Sequence, residues 1–165
     1  MPIKMYHKVW FWYAVAAVVV VLDQWSKQAI LARFDYAEVL ALTSFFNFTL
    51  VYNPGAAFSF LSDAGGWQRW FFTGIAVLAS GVLAVWIARV AATKWHEAFA
   101  LSFILGGALG NLYDRILLGH VVDFIQVHYN ESYFPAFNLA DSAITLGAII
   151  LIAYMLFNKE KKSNA

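Results

Sequence analysis

The chain has 165 residues, of which 62% are hydrophobic and 13% charged, with a net charge of +1 and no cysteine. The apolar share exceeds that of a soluble domain, and the chain lacks the clustered basic surface that nucleic acid requires; without cysteine there are no disulfides, thiolate nucleophiles or cysteine-held metals. What remains is a single domain with a bilayer as its solvent, in which chemistry falls to Asp, Glu, His, Ser, Thr or Lys.

The first apolar segment runs from Val9 to Leu31, opening on Trp10, Phe11, Trp12 and Tyr13, and is long enough to span a bilayer. It is too long and too aromatic for a cleaved leader. Asp23 and Lys27 near its end are spaced i and i+4, so they share a helix face and can pair.

Between Phe34 and Trp67 the period changes to two. Phe46, Phe48, Leu50 and Tyr52 alternate with Asn47, Thr49, Val51 and Asn53, as in a half-exposed strand. Asn53-Pro54-Gly55 makes a turn, and Ala57 to Leu61 is expected to return as a second short strand, giving a small sheet on the membrane surface. Glu38 to Phe46 fits either a helix or a strand. Gly55, Gly65 and Gly66 could serve as hinges for an insert that closes over a substrate.

Further spans are expected over Gln68–Ala88, Ala98–Leu117 and Asp141–Phe157. The predicted architecture is therefore a mainly α membrane protein, with four transmembrane helices and a small extracytoplasmic β-rich insert between helices 1 and 2. Gly106, Gly107 and Gly110 in the third span permit close helix approach. Lys4, Lys8, Arg89, Lys94, Lys159, Lys161 and Lys162 fall on one side of the membrane, against Lys27, Arg33, Arg69 and Arg115 on the other. Both termini are therefore expected in the cytoplasm, with the insert, Asp123 and Asp141 outside.

Chemistry concentrates between Gly106 and Ser142. Asp123 follows the third span and Asp141 begins the fourth, so neighbouring spans could bring two carboxylates together at a membrane edge. Two close carboxylates cannot both ionise easily, which suits an aspartic protease dyad; a proton relay or a structural pair remain open on the residues alone. Asn111 and Arg115, i and i+4, are donors suited to holding a peptide backbone, while Asp114 faces elsewhere and reads as an interfacial charge. Asn138 lies three residues before Asp141 and is placed to cap the fourth helix. His120 and His128 flank Asp123 without a metal-ligand spacing, and Ser59, Ser62 and Ser142 have no adjacent base.

Five stretches together resemble one family: DQWSK from Asp23, VYNPGAAFSFL from Val51, GGALGNLYDR from Gly106, GHVVDFI from Gly119 and FPAFNLADSAI from Phe134. They are similar to the lipoprotein signal peptidases, or signal peptidase II, of bacteria. The resemblance implies an aspartic endopeptidase of the cytoplasmic membrane that cuts prolipoproteins just before a diacylglyceryl-bearing cysteine, without metal or organic cofactor. It implies that Asp123 and Asp141 are the catalytic pair, that Asn53, Gly55, Asn111, Arg115 and Asn138 line or brace the substrate site, and that Asp23 and Lys27 give structural support. The partners expected are the lipid-modified substrate and membrane lipid, for a monomer. The competing class is a small proton- or ion-coupled transporter, which would string its ionisable groups along a path through the membrane rather than gather them on one side.

Overall fold

The computed structural model describes residues 3–55 and 65–163, with side chains placed within 8–157. Four long helices fall on the four apolar stretches: α1 (Ile3–Leu31), α2 (Trp67–Val90), α3 (Trp95–Leu117) and α4 (Leu139–Ser163). Three of them, over Lys8–Leu31, Trp67–Val90 and Leu139–Phe157, are long and apolar enough to cross a membrane. Their outward faces carry exposed Trp10, Leu78, Val82, Ile149 and Ile152, a surface that only lipid solvates well.

The fourth helix, α3, falls short of that measure because polar residues stand at both its ends: His96 and Glu97 at one, Asn111, Asp114 and Arg115 at the other. It is the most enclosed helix and packs against the other three. Its glycines make that possible. A Cβ on Gly106 would stand 2.7 Å from the Ala16 carbonyl oxygen, and one on Gly110 would stand 2.6 Å from Asp23 Oδ2. Trp12, Ala16, Leu83, Ile87, Leu101 and Leu105 fill the space between α1, α2 and α3.

The sheet departs from the expected insert. Its strands are β1 (Val39–Ala41), β2 (Phe46–Asn53), β3 (Val121–Tyr129) and β4 (Ser132–Tyr133), antiparallel in the order β1-β2-β3-β4. It is therefore not confined to the segment between α1 and α2, since half of it comes from between α3 and α4. The physical reason is edge pairing: β1 satisfies only three residues of β2, and the nine-residue β3 takes the other edge. The undecided stretch before Phe46 contributes β1, and the expected return strand at Ala57–Leu61 lies outside the described residues.

A bulge between Phe48 and Val51 puts one extra residue into β2. Asn47 is buried before it, and the adjacent Thr49 and Leu50 within it are both buried, so the simple alternation read from the sequence breaks at this point. Leu50 joins Ile30, Val122 and Phe124 in a second core between the end of α1 and the sheet. After the bulge, Val51 pairs with Asp123 and Asn53 with Val121.

Candidate active site

The turn from α3 into β3 begins the site. Leu118 and Gly119 donate their N–H groups to the Asp114 carbonyl at 2.7 and 3.2 Å, and Gly119 takes a left-handed φ of 84° that a side chain would strain. Arg69 on α2 closes the same helix end, its guanidinium donating to the carbonyls of Arg115 at 2.8 Å and Ile116 at 2.6 Å. With that end fixed, β3 carries Asp123 inward beside β2.

Asp123 is buried, and both its oxygens are held. Asn53 Nδ2 donates to Oδ2 at 3.0 Å and Asn138 Nδ2 to Oδ1 at 2.7 Å. Loss of water pushes its pKa from 3.8 up to about 7, and the nearby Asp141 charge adds to the rise; the two amide donors and Lys27 act against it.

Asp141 stands in the first turn of α4. The Asn138 side chain accepts the Asp141 N–H at 2.9 Å, and the Asp141 carboxylate accepts the Asn138 N–H at 3.2 Å, a reciprocal capping box. The other Asp141 oxygen accepts from Asn111 Nδ2 at 2.7 Å. The expected cap at Asn138 is therefore present, and the same amide reaches Asp123 from the other side. One fully buried asparagine thus holds both carboxylates, Asp123 through its side-chain Nδ2 and Asp141 through its backbone N–H.

Beneath them lies a buried ionic cluster. Lys27 Nζ is 2.8 Å from Asp23 Oδ2, 2.8 Å from Asp114 Oδ2 and 3.0 Å from Asn111 Oδ1. The Asp23–Lys27 pair expected from the spacing is present, but it is buried rather than interfacial. Asp114, read from the sequence as a surface charge, is its third member, with Gln24 Nε2 donating to it at 2.8 Å. The signal was the stripe Gly107, Gly110, Asn111 and Asp114, which continues the closely packed face of α3 onto Asp114.

Arg115 Nη2 donates to the Gly55 carbonyl at 3.1 Å, while Gly55 N–H donates to Asn53 Oδ1 at 3.0 Å. Its guanidinium lies 5.7 Å from the centre of the Phe72 ring, and its buried Nε has no hydrogen-bond partner among the described residues. His120 packs on Tyr52 with its pKa lowered by burial, and His128 sits by Tyr133 and Asn130. Among the described residues, no group of three His, Asp or Glu could hold a metal.

A cavity of about 620 Å3 opens over this arrangement, lined by Asn53, Asn111, Arg115, Asp123 and Asp141 at its polar end. It continues along Ile144, Leu146 and Ile149 of α4, so the same space is polar at one end and apolar where α4 faces lipid.

Residues 15–157 match the profile of the family described as signal peptidase (SPase) II. The chain belongs to the signal peptidase II family. Among its curated relatives, the lipoprotein signal peptidase of Cellvibrio japonicus is 69% identical, covering 97% of this chain and 94% of its own. That of Teredinibacter turnerae is 56% identical over 88% and 87%, and that of Pseudomonas aeruginosa 52% identical over 94% and 92%. Two solved structures, each described as a bacterial membrane enzyme determined by the in meso method, superpose with TM-scores of 0.82 and 0.76. They are 32% and 34% identical to the chain; the first covers 92% of it and 91% of its own length, the second 88% and 92%. As a member of the signal peptidase II family the chain is a peptidase, a hydrolase of the multi-pass membrane class, and its apolar helices fit that class.

Proposed function

We propose that the protein is an aspartic endopeptidase that removes the signal peptide from diacylglyceryl-modified prolipoproteins, cutting before the lipidated cysteine. The observation that carries this reading is Asn138, whose side-chain Nδ2 bonds the Asp123 carboxylate and whose backbone N–H bonds the Asp141 carboxylate, at the polar end of a cavity whose other end is apolar. In this reading α3 is a fourth membrane crossing, both termini are cytoplasmic, and the sheet and the site lie on the outer side. The chain works as a monomer without a cofactor.

The roles of the two carboxylates follow from their surroundings. Asp141 is held in its own capping box at a helix N-terminus, where negative charge is favoured, so it is the base that takes a proton from water. Asp123, whose burial keeps it protonated to about pH 7, donates to the scissile carbonyl oxygen as the water attacks. The tetrahedral diol then collapses, the proton taken by Asp141 passes to the leaving amine, and the carbonyl re-forms as its proton returns to Asp123. Arg115 and Asn53 line the polar end of the cavity, where a peptide backbone would lie, and both are bonded to Gly55. The acyl chains of the substrate lie along Ile144, Leu146 and Ile149, which lets the lipid stay in the bilayer while water reaches the bond.

The test is cleavage of a diacylglyceryl-modified prolipoprotein by purified protein in detergent, with an unlipidated control. Wild type is expected to release a lipid-dependent product, and Asp123→Asn and Asp141→Asn to release none while keeping the fold. Full cleavage by either variant would remove the dyad. If wild type cleaves nothing under any lipid condition, a proton-flux assay for the relay alternative takes its place.

A further inference from the structure

The Asp23, Lys27 and Asp114 cluster is larger than helix packing needs. Well-packed apolar residues in place of a buried ion pair are often as stabilising, so stability alone gives no reason for three charges at this depth. Each member, however, also makes one bond outward, and each of those bonds reaches a neighbour of the two site aspartates. Asp23 Oδ1 accepts the N–H of Ala140, the residue before Asp141, at 2.9 Å. Asp114 Oδ2 accepts the N–H of Val122, the residue before Asp123, at 3.2 Å. Lys27 donates to Asn111 Oδ1; because a lysine ammonium accepts no hydrogen bond, this fixes the amide with its Nδ2 towards Asp141.

We propose that the Asp23–Lys27–Asp114 cluster is a gauge that sets the separation of Asp123 from Asp141, with Asp114 and Gln24 as positioning residues for the reaction. The inference rests on the reading of those two aspartates as the working pair. Lys27 ties α1 to α3, Asp23 ties α1 to the first turn of α4, and Asp114 ties α3 to the start of β3. Gln24 Nε2 locks the two carboxylates together, donating to Asp114 Oδ1 at 2.8 Å and to Asp23 Oδ2 at 3.1 Å. Gly110 completes the device, since no other residue leaves room for Asp23 Oδ2.

The test uses Asp114→Ala and Gln24→Leu in the full-length protein in detergent, with Asp123→Asn to assign the carboxylic-acid infrared band of Asp123. Among the described residues, Asp141 from α4, Lys27 from α1 and Arg115 from α3 are the charged groups that face Asp123. If the gauge loosens, Asp141 moves away and the band titrates at lower pH in both variants. Gln24→Leu changes no charge, so its shift reports spacing alone, and it decides the matter if Asp114→Ala does not fold. Turnover of a lipidated peptide is expected to fall on the order of 10²-fold in Asp114→Ala with KM little changed, the penalty of a slightly misplaced catalytic group. An unmoved band in a folded variant overturns the gauge. A moved band in a protein that cleaves no lipidated peptide would leave the gauge standing and overturn the peptidase reading.

Discussion

Replacing Asn138 by alanine removes two separable things. The first is the N-cap of α4, whose side-chain oxygen accepts the Asp141 N–H at 2.9 Å, a contribution of about 1 kcal/mol. The second is the amide donor to Asp123 at 2.7 Å and to the Asn111 and Val122 oxygens at 3.2 and 3.3 Å. Asn138 is fully buried, so water cannot replace that donor, and leaving such acceptors unsatisfied costs about 2 kcal/mol. Asn138→Ala should therefore lose about 3 kcal/mol, read by denaturant titration in detergent micelles. Asn138→Ser keeps a capping oxygen but not the donor, and should recover about 1 kcal/mol of that loss. Activity separates the same two parts. The Asn138 amide lowers the Asp123 pKa, so its removal raises that value further above about 7. In the proposed mechanism Asp123 must be protonated to donate, so the limb of the pH–rate profile on which activity falls with rising pH should move upward in both variants. The reasoning fails if serine is as damaging to stability as alanine, or if that limb stays where it is in wild type.

Wild type should be less stable at pH 8 than at pH 5: the Asp123 pKa is raised from 3.8 to about 7, so stability is greatest below 3.8 and is lost as pH rises through about 7. Asp123→Asn should flatten that dependence, which stability curves at the two pH values would reveal. Gly110→Ala should cost on the order of 1–3 kcal/mol and most of the activity, because the added methyl meets Asp23 Oδ2; a variant with wild-type stability and turnover would contradict the close approach. Arg115→Gln loses the charged donor to the Gly55 carbonyl and should raise KM for lipidated peptide more than it lowers kcat, as steady-state kinetics would show.

The helices were legible because lipid imposes a simple rule: long apolar runs mark them, and α1 to α4 fall on the four such runs. Asp123 and Asp141 were legible as costly groups in an apolar chain, and Asn138 as a cap from its spacing. β3 was not legible as part of the sheet. Val121-Val122-Asp123-Phe124 is buried on both faces, so it shows no alternation, and its partner strand lies far away in sequence. The bulge in β2 hid which of its faces points inward, because local periodicity carries no record of an inserted residue. Asp114 was misread for a related reason. Its place off the Asn111–Arg115 face implied an interfacial charge, whereas the burial of Asp114 depends on Lys27, which arrives on another helix. Pairwise spacing along one helix cannot report a partner of that kind.

The pairing of β2 with β3 also orders events in time. Val51 leaves the ribosome about seventy residues before Asp123, its partner, so at roughly 5–20 residues per second β2 waits several seconds with only short β1 beside it. Asn53 and Gly55 are synthesised in that interval, but neither carboxylate has yet been made. Only when α3 has been laid down and β3 has zipped onto the waiting edge does Asp123 take its place, and Asp141 comes later still with the first turn of α4. A nascent chain halted anywhere before α4 carries an apolar N-terminal helix and lacks Asp141, one member of the proposed pair. In chain order, then, Asn53 and Gly55 come first and Asp141 last, so the site is completed among the last parts of the molecule.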